Sequence, residues 1–329
     1  MLKYLKNLKK QCKMAVFTKI SKSEIEFFLK DYAIGNLVSF EGIIKGTENT
    51  NYKVVTTKDN YILTLLEKRV EPEELPFFMG LQKELAANGF ACPLPIKNKE
   101  NSVINKLKNK NAVIISFLQG ENLSTVNAEH CRELGEKIAE FTNITKTLNL
   151  SRSNGLGYDA WVNIYDSFKN VKDSTYEEYL QILDKELIFL KKNWPINLPK
   201  AIIHADLFID NVLFTNNKIS GVIDFYFSCN DFIAYELALT INAWCFNENG
   251  TFNYENFNSF IIGFNSISSL NNEEKESMNI LLRGAAVRIL VTRLHDKIFH
   301  PNDALVELKN PKEYLNILKW HQKNKNLNI

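Results

Sequence analysis

Two linked runs constrain this chain more than any other feature: His204-Ala205-Asp206-Leu207-Phe208-Ile209-Asp210-Asn211, then Val222-Ile223-Asp224-Phe225. The first reads H-x-D-x-x-x-x-N, and the second sets an aspartate among apolar residues 13 positions after Asn211. Ala201-Ile202-Ile203 before the loop and Asn211-Val212-Leu213-Phe214 after it are short apolar runs that suit buried strands. Asn216-Asn217 turns the chain, and Ser220-Gly221-Val222-Ile223-Asp224 returns as a second strand. Such a hairpin places Asp206 and Asn211 on a loop and ends a strand at Asp224 beside them. An isolated H-x-D arises readily by chance; three polar groups delivered to one place by one hairpin do not.

Those residue types suit one chemistry. Phosphoryl transfer from Mg-ATP needs a carboxylate to receive the proton of the acceptor hydroxyl and oxygen ligands to hold the metal on the phosphates. Asp206 fits the first role. Asn211 and Asp224 fit the second, because Mg2+ takes hard oxygen ligands and keeps several waters. His204, the other candidate catalytic residue, is expected to brace the loop rather than react.

Composition narrows the rest. The 329 residues are 45% hydrophobic and 24% charged, enough for one large or two modest cores. With 40 basic and 38 acidic residues, charge makes no case for nucleic-acid binding. Five scattered cysteines without C-x-x-C spacing indicate neither a zinc site nor a disulfide framework, and reduced thiols point to a cytoplasmic protein. No apolar run reaches 18 residues, so no membrane span is expected. Residues 1–13 hold five lysines and no acid; without them the net charge falls from +2 to −3. They read as a disordered extension or an upstream start ahead of Met14. A weak membrane-surface helix is the alternative.

Along the chain, Ser21 and Glu24 form a capping box. Leu37 to Ile44, Asn51 to Thr56 and Tyr61 to Leu66 read as antiparallel strands. A helix opens at Pro72 and stops at Asn88-Gly89. Ala112 to Phe117 is an apolar strand broken at Gln119-Gly120. Long helices are expected over His130 to Leu148 and Thr175 to Trp194, and mostly helices after the hairpin. The expected class is α+β, a protein-kinase-like bilobal fold. Residues 14–117 make a small antiparallel-sheet N-lobe and 118–329 a larger, mainly helical C-lobe, with ligands bound in the cleft between them.

Several stretches together carry a family resemblance. They are Met14-Ala-Val-Phe-Thr18, Tyr61-Ile-Leu-Thr-Leu-Leu-Glu-Lys-Arg69, Glu74-Leu-Pro-Phe-Phe78, His204 to Phe208, Ile223 to Phe227, Asn242-Ala-Trp-Cys-Phe246 and Arg283-Gly-Ala-Ala-Val-Arg288. From Met14 to His321 the chain resembles the homoserine kinases of the aminoglycoside-phosphotransferase-like superfamily. The resemblance implies that ATP and L-homoserine give ADP and O-phospho-L-homoserine, a step toward threonine. It makes Asp206 the base and Asn211 and Asp224 the Mg2+ ligands. The backbone of Ser116 and Leu118 would meet the adenine. The loop from Gly42 through Gly46 and Asn49 to Asn51 would cover the nucleotide, although by itself it reads equally as an ordinary hairpin.

One departure stands out. Where many superfamily members carry a third-strand lysine paired to a helix glutamate, this chain has Thr64, with Phe77 and Phe78 on the helix. Lys68 and Arg69 are the candidates to neutralise the phosphates. For the substrate carboxylate a planar Arg fork is best, so Arg283 or Arg288 is expected to bind it, a structural ion pair being the alternative. Five-residue steps along a helix rotate by about 500°, so these two and Arg293 cannot all face one ligand. Asp231 or Glu236 would meet the ammonium, and Tyr226, Asn230 and Trp244 would wall the pocket, with core packing the other reading of Trp244. The partner is a small molecule, and the chain is a monomer or a homodimer. Three rival readings remain. They are a kinase of an aminoglycoside, choline, ethanolamine or methylthioribose, a nucleotide-binding pseudokinase, and a membrane-associated adaptor using residues 1–13.

Overall fold

The computed structural model describes residues 18–43, 49–67, 71–247, 250–299 and 308–329. These divide into two compact units, with the boundary between Leu118 and Gln119.

The first unit is built on five antiparallel strands, β1 (Leu37–Gly42), β2 (Thr50–Thr56), β3 (Asn60–Leu65), β4 (Asn105–Leu107) and β5 (Lys110–Ser116), in the order β1-β2-β3-β5-β4. Helix α1 (Lys22–Leu29) starts at the expected capping box: the Ser21 hydroxyl accepts from the Glu24 amide, and the Glu24 carboxylate accepts from the Ser21 amide. It lays Ile25, Phe28 and Leu29 on Tyr52, Val54, Leu63 and Leu65 of one sheet face. Strand alternation, the reason alternate residues share a face, then turns Asn51, Lys53, Ile62 and Thr64 to the opposite side. Helix α2 (Leu75–Ala87) follows a short 3-10 turn at Pro72–Glu74 and buries Phe77 and Phe78.

In the second unit, α3 (Ala128–Thr145), α4 (Tyr158–Phe168) and α5 (Glu177–Asn193) precede the strands β6 (Lys200–Ile203), β7 (Val212–Thr215), β8 (Lys218–Val222) and β9 (Cys229–Phe232). Then come α6 (Ile233–Trp244), α7 (Tyr254–Asn265), α8 (Asn272–Ile298) and α9 (Pro311–Lys323). The β7–β8 hairpin is the expected one. The partner of β6 is β9, a strand the sequence reading did not separate from the helices that follow. Helix α4 was likewise unread. Two glycines let helices meet at backbone distance. A Cβ on Gly135 of α3 would lie 2.1 Å from the Phe260 carbonyl oxygen, and one on Gly263 of α7 would lie 2.1 Å from that of Arg132. The long apolar helix α8, whose buried run spans Leu281 to Val291, is the core against which α4, α5, α6 and α9 pack. Both lobes of the expected α+β kinase-like fold are thus present, a sheet-based unit and a helical one.

Candidate active site

The loop between β6 and β7 holds the expected polar groups in a defined arrangement. Strand β6 ends at Ile203, and His204 enters the core. Its neighbour Ala205 takes φ +64°, a left-handed conformation that costs a residue bearing a Cβ roughly 1–2 kcal/mol. Something must hold it there. The carboxylate of Glu236, buried on α6, accepts the Ala205 N–H at 2.8 Å. From this kink Asp206 emerges half-buried. The Asn211 side-chain amide donates to both the Asp206 carbonyl oxygen, at 2.8 Å, and its Oδ2, at 2.9 Å. Base candidate and amide are therefore locked to each other across the loop.

His204 ties this loop to the second motif. Its Nδ1 accepts the Asp206 N–H at 3.3 Å, and its Nε2 lies 3.0 Å from the Ile223 carbonyl oxygen. The ring is the neutral Nε2–H tautomer: burial holds its pKa down at about 4, the Ile223 carbonyl opposes this, and the Arg288 charge adds to it. A neutral, enclosed imidazole with both nitrogens engaged braces, as expected. The Ile223 N–H in turn donates to the Asn211 carbonyl at 3.0 Å. β8 stops at Val222, so Asp224 is not a strand end. It sits two residues on, exposed, at φ +66° and ψ +65°, a conformation Asp tolerates better than most residues. The Ile223–Asn211 bond ties the turn that carries Asp224 to the loop that carries Asn211. Among the described residues no cluster of three or more His, Cys, Asp or Glu surrounds a point. One carboxylate and one amide oxygen are a sparse donor set that fits a cation completed by phosphate and water.

Trp244 lies under the loop, fully buried, and its Nε1–H donates to the Leu207 carbonyl at 2.7 Å. It supports the loop from within the core rather than walling a pocket. Arg283 is committed: its fork makes two bonds to Glu186, of 2.6 and 2.7 Å, over the Phe189 ring. Arg288 is 1% exposed. It faces Phe227, and its charge acts on His204, Tyr235 and Glu236. Burial lifts the Glu236 pKa to about 7, while the Ala205 N–H and Arg288 work against that rise. The buried cation thus balances the carboxylate that holds the loop. Glu236 in this role was not legible in the sequence. A carboxylate inside an apolar helix run, Ile233 to Trp244, was the available signal.

The Tyr226 hydroxyl is half-buried, its pKa pushed up by burial and by Asp224. Asn230 accepts the Arg152 N–H through Oδ1 at 2.7 Å, and the Asp231 carboxylate accepts from the Asn154 amide at 2.6 Å.

In the sheet unit, Thr64 Oγ1 donates to Asn51 Oδ1 at 2.7 Å, its register partner on β2. The residue in the lysine position therefore closes a neutral cross-strand pair. Asn49 Oδ1 accepts the Glu67 N–H at 3.3 Å, and Gly42 pairs with Tyr52 at the end of β1. The Ser116 N–H donates to the Leu94 carbonyl, and Leu118 follows β5. Gly46, Lys68 and Arg69, like residues 1–13, lie outside the described residues.

A model of the phosphotransferase enzyme family matches residues 39–266. A homoserine kinase of Parvibaculum lavamentivorans is 43% identical over 309 residues, covering 94% of this chain and 96% of its own length. One of Agrobacterium fabrum is 41% identical with the same coverage. The chain belongs to the homoserine kinases. The chain is thus a phosphotransferase, and its family's chemistry draws on ATP and a divalent metal ion. The fold is shared with solved kinases of much lower identity. An amicoumacin kinase bound to AMP-PNP and Ca2+ superposes with TM-score 0.71 at 12% identity, covering 92% of this chain and 93% of its own. A microcompartment-associated aminopropanol kinase gives 0.71 at 14%, covering 93% and 98%. No helix among the described residues is long and apolar enough to cross a membrane.

Proposed function

We propose that this chain transfers the γ-phosphoryl group of ATP to the side-chain hydroxyl of L-homoserine, with Asp206 as the base and Asn211 and Asp224 holding Mg2+. The observation that carries the reading is the bonded loop in which Asn211 grips Asp206 while His204 links Asp206 to Ile223, next to Asp224. Bound there, the metal would draw charge from the phosphate oxygens. The chain's own residues do the positioning. Glu236 and Trp244 fix the loop backbone. Asn211 orients the Asp206 carboxylate, which takes the hydroxyl proton as the acceptor oxygen attacks the γ-phosphorus.

Thr64 does not argue for a pseudokinase, because it sits in a satisfied pair with Asn51 and leaves the catalytic loop intact. The test is an ADP-release assay with Mg-ATP and L-homoserine, D-homoserine, L-serine, choline, methylthioribose and kanamycin. Turnover confined to L-homoserine is expected. Preferred turnover of any other acceptor would overturn the substrate, and nucleotide binding without any turnover would restore the pseudokinase.

A further inference from the structure

Transfer from ATP calls for a cation on the phosphates, and the third strand supplies none: Thr64 closes a neutral pair with Asn51. Lys68 and Arg69 lie outside the described residues. The sheet itself offers another cation. Helix α1 covers one of its faces, burying Tyr52, Val54, Leu63, Leu65 and Ile114. The other face differs in character. Asn51, Lys53, Ile62, Ile115 and Phe117 stay half-buried there, while Thr64 and Val113 are enclosed.

Register fixes which residues share that second face. Lys53 stands opposite Ile62, Asn51 opposite Thr64, and Ile62 opposite Ile115. Directly opposed residues of an antiparallel pair lie on one side of the sheet. Lys53 is thus the diagonal neighbour of Thr64, about 7–8 Å away across the β2–β3 pair and within reach of a long side chain. One step past the Tyr61–Ser116 pair, the same alternation sets Phe117 on this face too. A floor of Ile62, Ile115 and Phe117 with a lysine beside it suits a planar base joined to phosphates.

The lysine head is held lightly. Its Nζ lies over the Phe117 ring, 5.0 Å from the centroid, rather than in an ion pair with Glu41, its exposed register partner on β1. A cation–π contact at a partly exposed site is weaker than the charge-assisted N–H···O bonds a phosphate offers, so the head can leave the ring when a phosphate arrives.

We propose that Lys53, from the second strand, supplies the phosphate-binding cation that Thr64 cannot. This rests on the ATP-dependent phosphotransfer read above.

The test is calorimetric titration of Mg-ATP and of adenosine into the unaltered chain and into Lys53→Met, which keeps an unbranched apolar stem and loses the charge. Removing a bond between charged groups lowers affinity about 10–100-fold. That loss is expected for Mg-ATP, with adenosine binding and the KM for L-homoserine unchanged. Lys53→Arg, which keeps the charge, should lose less. An unchanged Mg-ATP affinity in Lys53→Met would overturn the assignment. An equal loss on adenosine would overturn it too, because disturbed packing around Phe117 would weaken both ligands alike. A chain that binds no Mg-ATP at all would sink the phosphotransfer reading and the assignment with it, whereas one that binds it regardless of residue 53 sinks the assignment alone.

Discussion

At the scale of single residues, the loop works through bonds that link its strained and buried groups. Ala205 holds its left-handed turn through Glu236, whose pKa is raised by burial against the opposing pull of the Ala205 N–H and Arg288. Asp206 keeps one carboxylate oxygen on Asn211. Asp206→Asn keeps the size of that side chain but removes the proton acceptor. It should lower kcat by about 10²–10⁴, the range for a positioned general base, with an unchanged KM for ATP in steady-state assays. Near-normal turnover would remove Asp206 from the role. Asp224→Ala should behave differently, abolishing the magnesium dependence of nucleotide binding. Titration of ATP with and without Mg2+ reads this directly, and a variant that still binds Mg-ATP more tightly than free ATP would clear Asp224 of metal binding.

The element scale explains why the particular motifs read as they do. Asn242 bonds His321 Nε2 at 2.7 Å and the Leu282 carbonyl at 2.9 Å, so one side chain joins α6, α8 and α9. Trp244, two residues on, supports the catalytic loop. In the Arg283 to Arg288 run, a Cβ on Gly284 would lie 2.2 Å from the Trp194 ring, which is why the position is small. The contact of α3 with α7 depends on absence of bulk too. Gly263→Ala would press a methyl group into the Arg132 backbone, which cannot give as a flexible side chain can. Overpacking of this kind costs about 1–3 kcal/mol. We expect a lower urea midpoint with an unchanged slope, and a midpoint within error of the parent would show that the helices separate freely. The motif residues were legible as a set. Their jobs were not, because Asn242 and His321 are 79 positions apart and meet only when the helices pack.

Across the whole molecule, buried titrating groups set the pH response. Burial holds His204 down at about 4 and His321 at about 3, and lifts Glu236 to about 7. In the unfolded chain the histidines titrate near 6.5 and the glutamate near 4.3. As pH falls through about 6.5 the unfolded chain gains two protons that the native histidines refuse, so stability is lost on acidification. Glu236 acts with the opposite sign: the native state keeps a proton that the unfolded state has shed, so stability falls as pH rises from about 4.5 to 7. Between about pH 4.5 and 6.5 the histidines outweigh it by about one proton, roughly 1.4 kcal/mol per pH unit. Urea unfolding at pH 7, 6 and 5 should therefore show a falling free energy. In His321→Gln the remaining His204 and Glu236 contributions should nearly cancel, and a slope as steep as the parent's would refute this account.

The sequence by itself determined the sheet-then-helix plan, the hairpin and the candidate residues for the chemistry. Those features are local: alternation, capping and turn residues act within a few positions. Tertiary structure alone decided which charges are spent. Arg283, Arg288 and Arg152 look alike in the chain. The first lies against Glu186, 97 positions away; the second is enclosed in the core; the third is half-buried and donates to the Ser228 carbonyl. What an arginine binds depends on the carboxylate or carbonyl that packing brings to it, and on whether water can still reach it.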